Sequence, residues 1–270
     1  MGTLFDLATA LSRTALDRPL RGAARLLGRY VDIADNLNNC DFDSNGEGLL
    51  VRRGAPHWSV ALDVGANRGE WSELVSRINP NCQVHAFEPS ESTFAMLTDR
   101  VGSLANVTTH RVGLGDEDTV TRFADYGPGA TGSGFLDRGT LNGVAPREVE
   151  VPQARLATVL AAHGIERVDF AKVDTEGYEM PILRAIPDVL GAHRIDCVQF
   201  EYGGSWISGG HSLGEAVALF TGHGYEVFRV MPWGLLPLRY VASRDDNFKY
   251  ANFAALHDRE TARRWGVEIA

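Results

Sequence analysis

Apolar positions along this chain fall into two kinds of run, and the two kinds alternate. Short, nearly continuous runs read as strands buried on both faces: Val60-Ala-Leu-Asp-Val64, Gln83-Val-His-Ala-Phe87, residues 107–114, Val168-Asp-Phe-Ala-Lys-Val-Asp174, Cys197-Val-Gln-Phe-Glu201, and residues 225–230 and 250–256. Between them apolar residues recur at helical period, as in Trp71, Leu74, Val75 and Ile78, or Phe94, Met96, Leu97 and Val101 behind Ser90 as cap. Residues 156–163, a segment containing Pro181, and residues 212–223 read as further helices. Strand–helix alternation of this kind predicts an α/β sheet with helices on both faces. Ahead of it, Leu4, Leu7, Leu11, Leu16, Leu20, Leu26, Leu27 and Tyr30 predict a helix interrupted at Pro19. Residues 36–48 read as loop, followed by a short strand at Leu49-Leu-Val51. The expected division is an N-terminal helical extension over 1–48, one domain over 49–257, and a polar tail over 258–270.

Chemistry gathers where the strands end. The first run stops in Gly65-Ala-Asn-Arg-Gly69 and opens a helix, a turn whose free N–H groups suit a nucleotide-type ligand. It is not the Gly-x-Gly-x-x-Gly of dinucleotide sites, since Asn67 stands at the middle glycine, although Asn tolerates left-handed backbone. The competing reading has Asn67 capping the helix with Glu70 three positions on, and Gly65 and Gly69 serving only the turn. Glu88, at the tip of the second strand, is placed to accept hydrogen bonds from two ribose hydroxyls. Asp116, after Gly115 at the third tip, suits an adenine amine or a plain turn equally well.

Two neighbouring strands also finish in carboxylates, Asp174 and Glu201, and open α/β sheets bind ligands at that edge. Lys172, Asp174 and Glu176 share one face if extended geometry persists past the strand; the structural alternative is an ion pair of Lys172 with Asp174. Glycine-rich loops at 126–146 and 203–210 flank this edge, and His211 lies just beyond the second. Loops this long in compact domains form lids or binding walls.

Composition narrows the reading. A net charge of −9 argues against nucleic acid as substrate, which calls for a basic face. Cys40, Cys82 and Cys197 are odd in number and widely spaced, indicating neither a disulfide frame nor a zinc site, and fit a reducing cytoplasm. No apolar run approaches the roughly 18 residues of a spanning helix. The arginines opposite the N-terminal leucines satisfy either a membrane-surface helix or one packed on the domain or on a second subunit. Packing on the domain or on a second subunit is the commoner case and is expected ahead of membrane contact, with a homodimer one form of it.

Taken together, Asp63-Val-Gly-Ala-Asn-Arg-Gly69, Phe87-Glu-Pro89, Gly115-Asp116, Lys172-Val-Asp-Thr-Glu-Gly177 and Phe200-Glu201 resemble the FkbM family of S-adenosylmethionine (SAM)-dependent methyltransferases. Asn45-Gly-Glu47 and Tyr250-Ala-Asn-Phe253 extend the likeness. Arg155-Leu-Ala-Thr158 departs from the Thr-Leu-Asp common in that family, and no role is carried onto it. The resemblance implies a Rossmann-like class I methyltransferase sheet of seven strands, with a final antiparallel strand inserted beside the fifth. It also implies methyl transfer to hydroxyl oxygens of sugars, glycolipids or polyketide-type metabolites. By that likeness Asp63, Gly65, Asn67 and Gly69 face the methionyl part of SAM, Glu88 its ribose and Asp116 its adenine, and Asp174 is expected among the cofactor-binding residues as well.

The acceptor's proton is then expected to pass to one of Asp174, Glu176, Glu201 or His211, with Lys172 supporting Asp174. A magnesium or manganese ion held by two carboxylates is the other route. Competing functions are a methyltransferase fold that binds without catalysing and a nicotinamide-dependent oxidoreductase. The latter lacks a Tyr-x-x-x-Lys pair and the middle glycine of its fingerprint.

Overall fold

Five parallel strands stand where the apolar runs predict them, and their order decides where a ligand can sit. In the computed structural model, which describes residues 2–270 apart from the side chains of residues 2–5 and 10, the strands are β1 (Val60–Val64), β2 (Gln83–Phe87), β3 (Val107–His110), β4 (Gly113–Gly115), β5 (Thr119–Asp125), β6 (Arg147–Arg155), β7 (Val168–Val173), β8 (Ile195–Tyr202), β9 (Glu226–Met231), β10 (Gly234–Pro237), β11 (Ala251–Leu256) and β12 (Glu268–Ile269). The main sheet runs β12-β10-β9-β11-β8-β7-β1-β2-β3. Strand β11 pairs antiparallel with both β8 and β9, and β3, β2, β1, β7 and β8 are mutually parallel. The chain reverses direction across the sheet between β1 and β7, so a crevice opens at their carboxyl ends.

The helices are α1 (Gly2–Leu11), α2 (Asp17–Ala34), α3 (Glu47–Gly54), α4 (Glu70–Ile78), α5 (Glu91–Val101), α6 (Leu156–Ala162), α7 (Glu179–Arg184), α8 (Pro187–Gly191), α9 (Ser205–Gly209), α10 (Leu213–Gly222), α11 (Ala242–Asp245) and α12 (Arg259–Arg264). Because successive strand residues point to opposite faces, the sheet feeds two cores. Leu62, Ala171, Val173 and Phe200 pack with Leu160, Leu183, Leu190 and Phe220 from α6, α7, α8 and α10. Ala61, Val84, Phe170 and Cys197 pack with Leu50 of α3, Trp71 of α4 and Trp58. Trp58 stacks on Phe170 at 4.5 Å between ring centroids and meets the edge of Trp265 at 5.7 Å. The class I methyltransferase fold expected from the sequence is therefore present, with helices on both faces.

Several local expectations are corrected. The sheet has nine strands rather than seven, because β10 and β12 lengthen one edge. Leu49-Leu-Val51 belongs to helix α3, whose buried Glu47, Leu50, Val51 and Gly54 repeat at helical spacing. The run at 107–114 breaks after His110, and its second half, β4, joins β5 and β6 in a separate three-stranded sheet. Residues 258–270 are not a tail. Asp258 caps α12, Trp265 enters the core, and β12 pairs with β10.

The N-terminal helix breaks at residues 12–16, not at Pro19, which sits in the first turn of α2 where its missing N–H costs nothing. Leu4, one of the residues on which that helix was read, has its side chain outside the described residues. Packing of α2 on the domain is not found: no residue of α2 is buried among the described residues. No described helix is long and apolar enough to cross a membrane.

Candidate functional site

The turn after β1 is built on left-handed backbone. Gly65, Asn67 and Gly69 have φ of 83°, 47° and 81°. A Cβ on Gly65 would stand 1.9 Å from the carbonyl oxygen of Asp174, so only glycine lets the turn meet the end of β7. Gly69, not Asn67, is the N-cap of α4, and it makes no side-chain cap bond. The capping reading of Asn67 therefore does not hold. Its backbone N–H instead donates to Glu88 Oε2 at 3.1 Å, and the Ser90 N–H donates to Glu88 Oε1 at 2.9 Å. Burial, opposed by those two bonds, pushes the Glu88 carboxyl up to about 7.

These groups line a cavity of about 490 Å³ at the carboxyl edge of β1, β2 and β7. The size lies within the usual range of small-molecule sites. Phe87, Leu114 and the loop from Gly129 to Phe135 close it from one set of elements; Cys40, Phe42, Glu47 and Tyr250 contribute from another. Arg68 Nη2 donates to the Gly129 carbonyl at 3.2 Å, and the Gly129 N–H donates to Thr93 Oγ1 at 3.0 Å, tying the glycine-rich loop to the turn.

Asp63, Lys172, Asp174 and Glu176 also line the cavity. Lys172 Nζ donates to Asp174 Oδ2 at 2.8 Å, as the ion-pair reading expected. Burial alone would lower the ammonium pKa, but Asp174, Asp63 and Glu47 outweigh it and hold the value above its ordinary range. Glu47 is itself fixed, accepting from Gln199 Nε2 at 2.6 Å and Asn45 Nδ2 at 2.8 Å. Asp63 Oδ2 accepts from Ser72 Oγ at 2.6 Å, whereas its Oδ1 is buried without a partner. Burial, partly offset by Lys172, raises the Asp63 carboxyl.

Past β7 the chain turns through Glu176 at φ 59° and Gly177 at φ 103°. Glu176 pairs with Arg138 at 2.6 Å, a contact from the glycine-rich loop that sequence reading missed. Glu179 was missed as well: its Oε1 gathers the N–H groups of Thr175 at 2.7 Å and Gly177 at 3.2 Å. Burial pushes Glu179 up to about 7 and leaves Oε2 unpartnered. The one available signal was the repeat of an acid at the start of the helix in Thr-Glu-Gly-Tyr-Glu179.

Other expected site residues stand off the cavity wall. Glu201 is half-buried on β8, and burial followed by Asp174, Glu176 and Glu179 pushes its carboxyl well above the ordinary range. His211 lies 3.3 Å from Glu215 Oε2 at the start of α10 and does not line the cavity. Asp116 is exposed and accepts from Gln153 Nε2 at 3.3 Å; Gly113 and Leu114, rather than Asp116, reach the wall.

A family model described as the methyltransferase FkbM domain matches residues 63–227, which holds the turn, Glu88 and the Lys172–Glu201 region together. The chain belongs to the FkbM methyltransferase family. Among FkbM-related proteins, the 31-O-demethyl-FK506 methyltransferase FkbM of Streptomyces tacrolimicus is 32% identical over 209 residues, covering 62% of this chain and 73% of the relative. Methyltransferase 1 of Beauveria bassiana is 28% identical over 150 residues, covering 49% and 60%. Among solved structures, a putative methyltransferase from Streptococcus mutans in complex with SAH overlaps with a TM-score of 0.44 at 13% identity, over 78% of this chain and 97% of that one.

FkbM membership implies SAM, and the cavity fits it on two observations. Asp63 Oδ1 is a buried, unpartnered acceptor on the wall, suited to a cationic or N–H-bearing ligand. Glu88 retains free lone pairs at the strand tip beyond the two backbone bonds. The divalent ion fits less well: no group of three or more His, Cys, Asp or Glu side chains among the described residues is arranged to hold one. No step below is routed through a metal.

Proposed function

We propose that this FkbM protein transfers a methyl group from SAM to a hydroxyl oxygen of a small-molecule or glycan acceptor, in the range of sugars, glycolipid head groups and polyketide-type metabolites. The observation that carries the proposal is Asp174, on the cavity wall with one carboxylate oxygen held by Lys172 and its backbone pressed against the Gly65 turn. The name of the Streptomyces relative, which gives 31-O-demethyl-FK506 as what is methylated, supports oxygen as the acceptor atom.

Bound in the cavity, SAM supplies a methyl group that is already electrophilic. The protein's share is to align the acceptor oxygen and to take its proton as the new C–O bond forms and the C–S bond breaks. Lys172 engages Asp174 Oδ2, which leaves Oδ1 to receive that proton. Burial raises the carboxyls of Glu201 and Glu176, Glu176 is held by Arg138, and the two act as support for Asp174. Asp63, Gly65, Asn67, Gly69 and Glu88 form the SAM cradle. The acidic chain as a whole disfavours nucleic acid as acceptor.

Calorimetry with SAM and turnover with methyl-labelled SAM against hydroxylated acceptors test this. Glu88→Ala is expected to weaken SAM binding by about 1.5–3 kcal/mol, the scale of hydrogen bonds to a charged group. At saturating SAM, Asp174→Asn is expected to lower turnover by about 10²-fold or more. Label that survives mild alkali marks an ether; label released by it marks a carboxylate acceptor and overturns the hydroxyl assignment. Near-parental turnover in Asp174→Asn would move the base elsewhere, with His211 next to be tested.

A further inference from the structure

Helix α2 divides its surface into two halves. At 100° per residue, Leu20, Ala23, Ala24, Leu26, Leu27, Tyr30, Val31, Ile33 and Ala34 occupy about half of the circumference, and Arg18, Arg21, Arg25, Arg29, Asp17 and Asp32 occupy the other. The apolar half faces solvent: Leu26, Leu27, Tyr30 and Ile33 are 68%, 67%, 69% and 75% exposed. A continuous apolar strip of this size marks a surface that something else covers.

We infer that α2 is a docking helix for an anionic membrane surface. Three observations favour a lipid surface over a second copy of the chain. A helix–helix seam uses a narrow apolar stripe, whereas a half-cylinder of apolar residues matches a helix lying flat at the boundary between head groups and acyl chains. The two acids on the polar half are already paired, Asp17 with Arg21 at 2.8 Å and Asp32 with Lys249 at 2.5 Å. Among the described residues Arg18, Arg25 and Arg29 form no ion pair, so the helix presents cations although the whole chain is acidic. Arginines flanking an apolar face reach outward to phosphate head groups while their stems cover lipid.

The docking surface is also joined to the cavity. Beyond α2 the Asn38 N–H donates to the Tyr250 carbonyl at 2.8 Å and the Tyr250 N–H donates to Asn38 Oδ1 at 3.2 Å. Tyr250, Cys40 and Phe42 are cavity wall. A membrane-bound α2 therefore holds the cavity beside the lipid surface.

The test is co-sedimentation of the full chain with vesicles of phosphatidylglycerol and phosphatidylcholine in equal parts, against vesicles of phosphatidylcholine alone, with sedimentation velocity run in parallel. Expected are binding to the anionic vesicles only, loss of at least tenfold in affinity at high salt, and similar losses in Leu27→Glu and in Arg25→Glu/Arg29→Glu. Because α2 buries nothing, both variants should keep the parental melting temperature; should Leu27→Glu not, the arginine variant alone carries the test. Absence of binding, equal binding to both vesicles, or binding unaffected by these substitutions overturns the inference. A dimer that Leu27→Glu dissociates, without vesicle binding, also overturns it and assigns the face to a second copy.

Discussion

Glu88 sits at a balance between burial, which favours its neutral form, and two N–H groups, which favour the charged one, and the result is a carboxyl at about 7. Hydrogen bonds from ribose hydroxyls would be strongest to the ionised form. SAM affinity is therefore expected to be full above pH 7 and to fall as pH drops through it, approaching tenfold per unit; Glu88→Gln should bind more weakly and flatten the profile. Calorimetry between pH 6 and 8 measures both. The positions of Glu88, Asp63, Asp174 and Lys172 on the cavity wall were legible in the sequence because each lies at or next to the end of an apolar run, where position alone implies the carboxyl edge. The sequence did not reveal Arg138 or Glu179. Arg138 reaches Glu176 from a loop with no periodicity to fix its course, and Glu179 looks like any first-turn helix acid until its N–H partners are seen. His211 stands off the cavity wall for the converse reason: proximity to Glu201 in sequence does not decide which way a loop turns.

Elements long enough to show a period, such as β7, β8, α4 and α10, fall where their apolar residues place them. The misreading at Leu49-Leu-Val51 came from three apolar residues, too few to distinguish a strand from one turn of helix. Helix α3 is a packing element in its own right, with Leu50 and Val51 fully buried among the tryptophans under the sheet. Leu50→Ala is expected to cost about 2–5 kcal/mol of stability, the range for removing a buried leucine, measurable by urea unfolding. Because α3 also carries Glu47 into the cavity wall, the same variant should disturb the Glu47–Gln199–Lys172 arrangement. The second sheet went unread because its strands are mostly exposed on one side and lie across a polar loop, so they offer short alternation and no buried run.

At the scale of the molecule, the face of β2 and β3 that carries Phe87 holds a second titrating group. His85 Nδ1 and His110 Nε2 are 3.0 Å apart, with His163 packed edge-on, and burial lowers both His85 and His110 to about 4. An unfolded chain takes up protons at these histidines near pH 6.5 while the folded chain does not, so their contribution to stability is full above 6.5 and is lost as pH falls toward 4. Glu88 and Glu179, raised to about 7, work in the opposite sense between their unfolded values and 7. Replacing His110 by Gln should therefore reduce the loss of melting temperature between pH 6.5 and 4 relative to the parent.

The contact of Gly65 with the Asp174 carbonyl has a consequence for how such a protein diversifies. The turn proposed to cradle the methyl donor and the strand end proposed to receive the proton are in direct backbone contact, with no side chain between them. On that reading one backbone contact sets the spacing between electrophile and base, while the glycine-rich loop is tied to the turn through Gly129 and to Glu176 through Arg138. Substitutions elsewhere in that loop can thus reshape the chamber for new acceptors without touching the contact between turn and strand end.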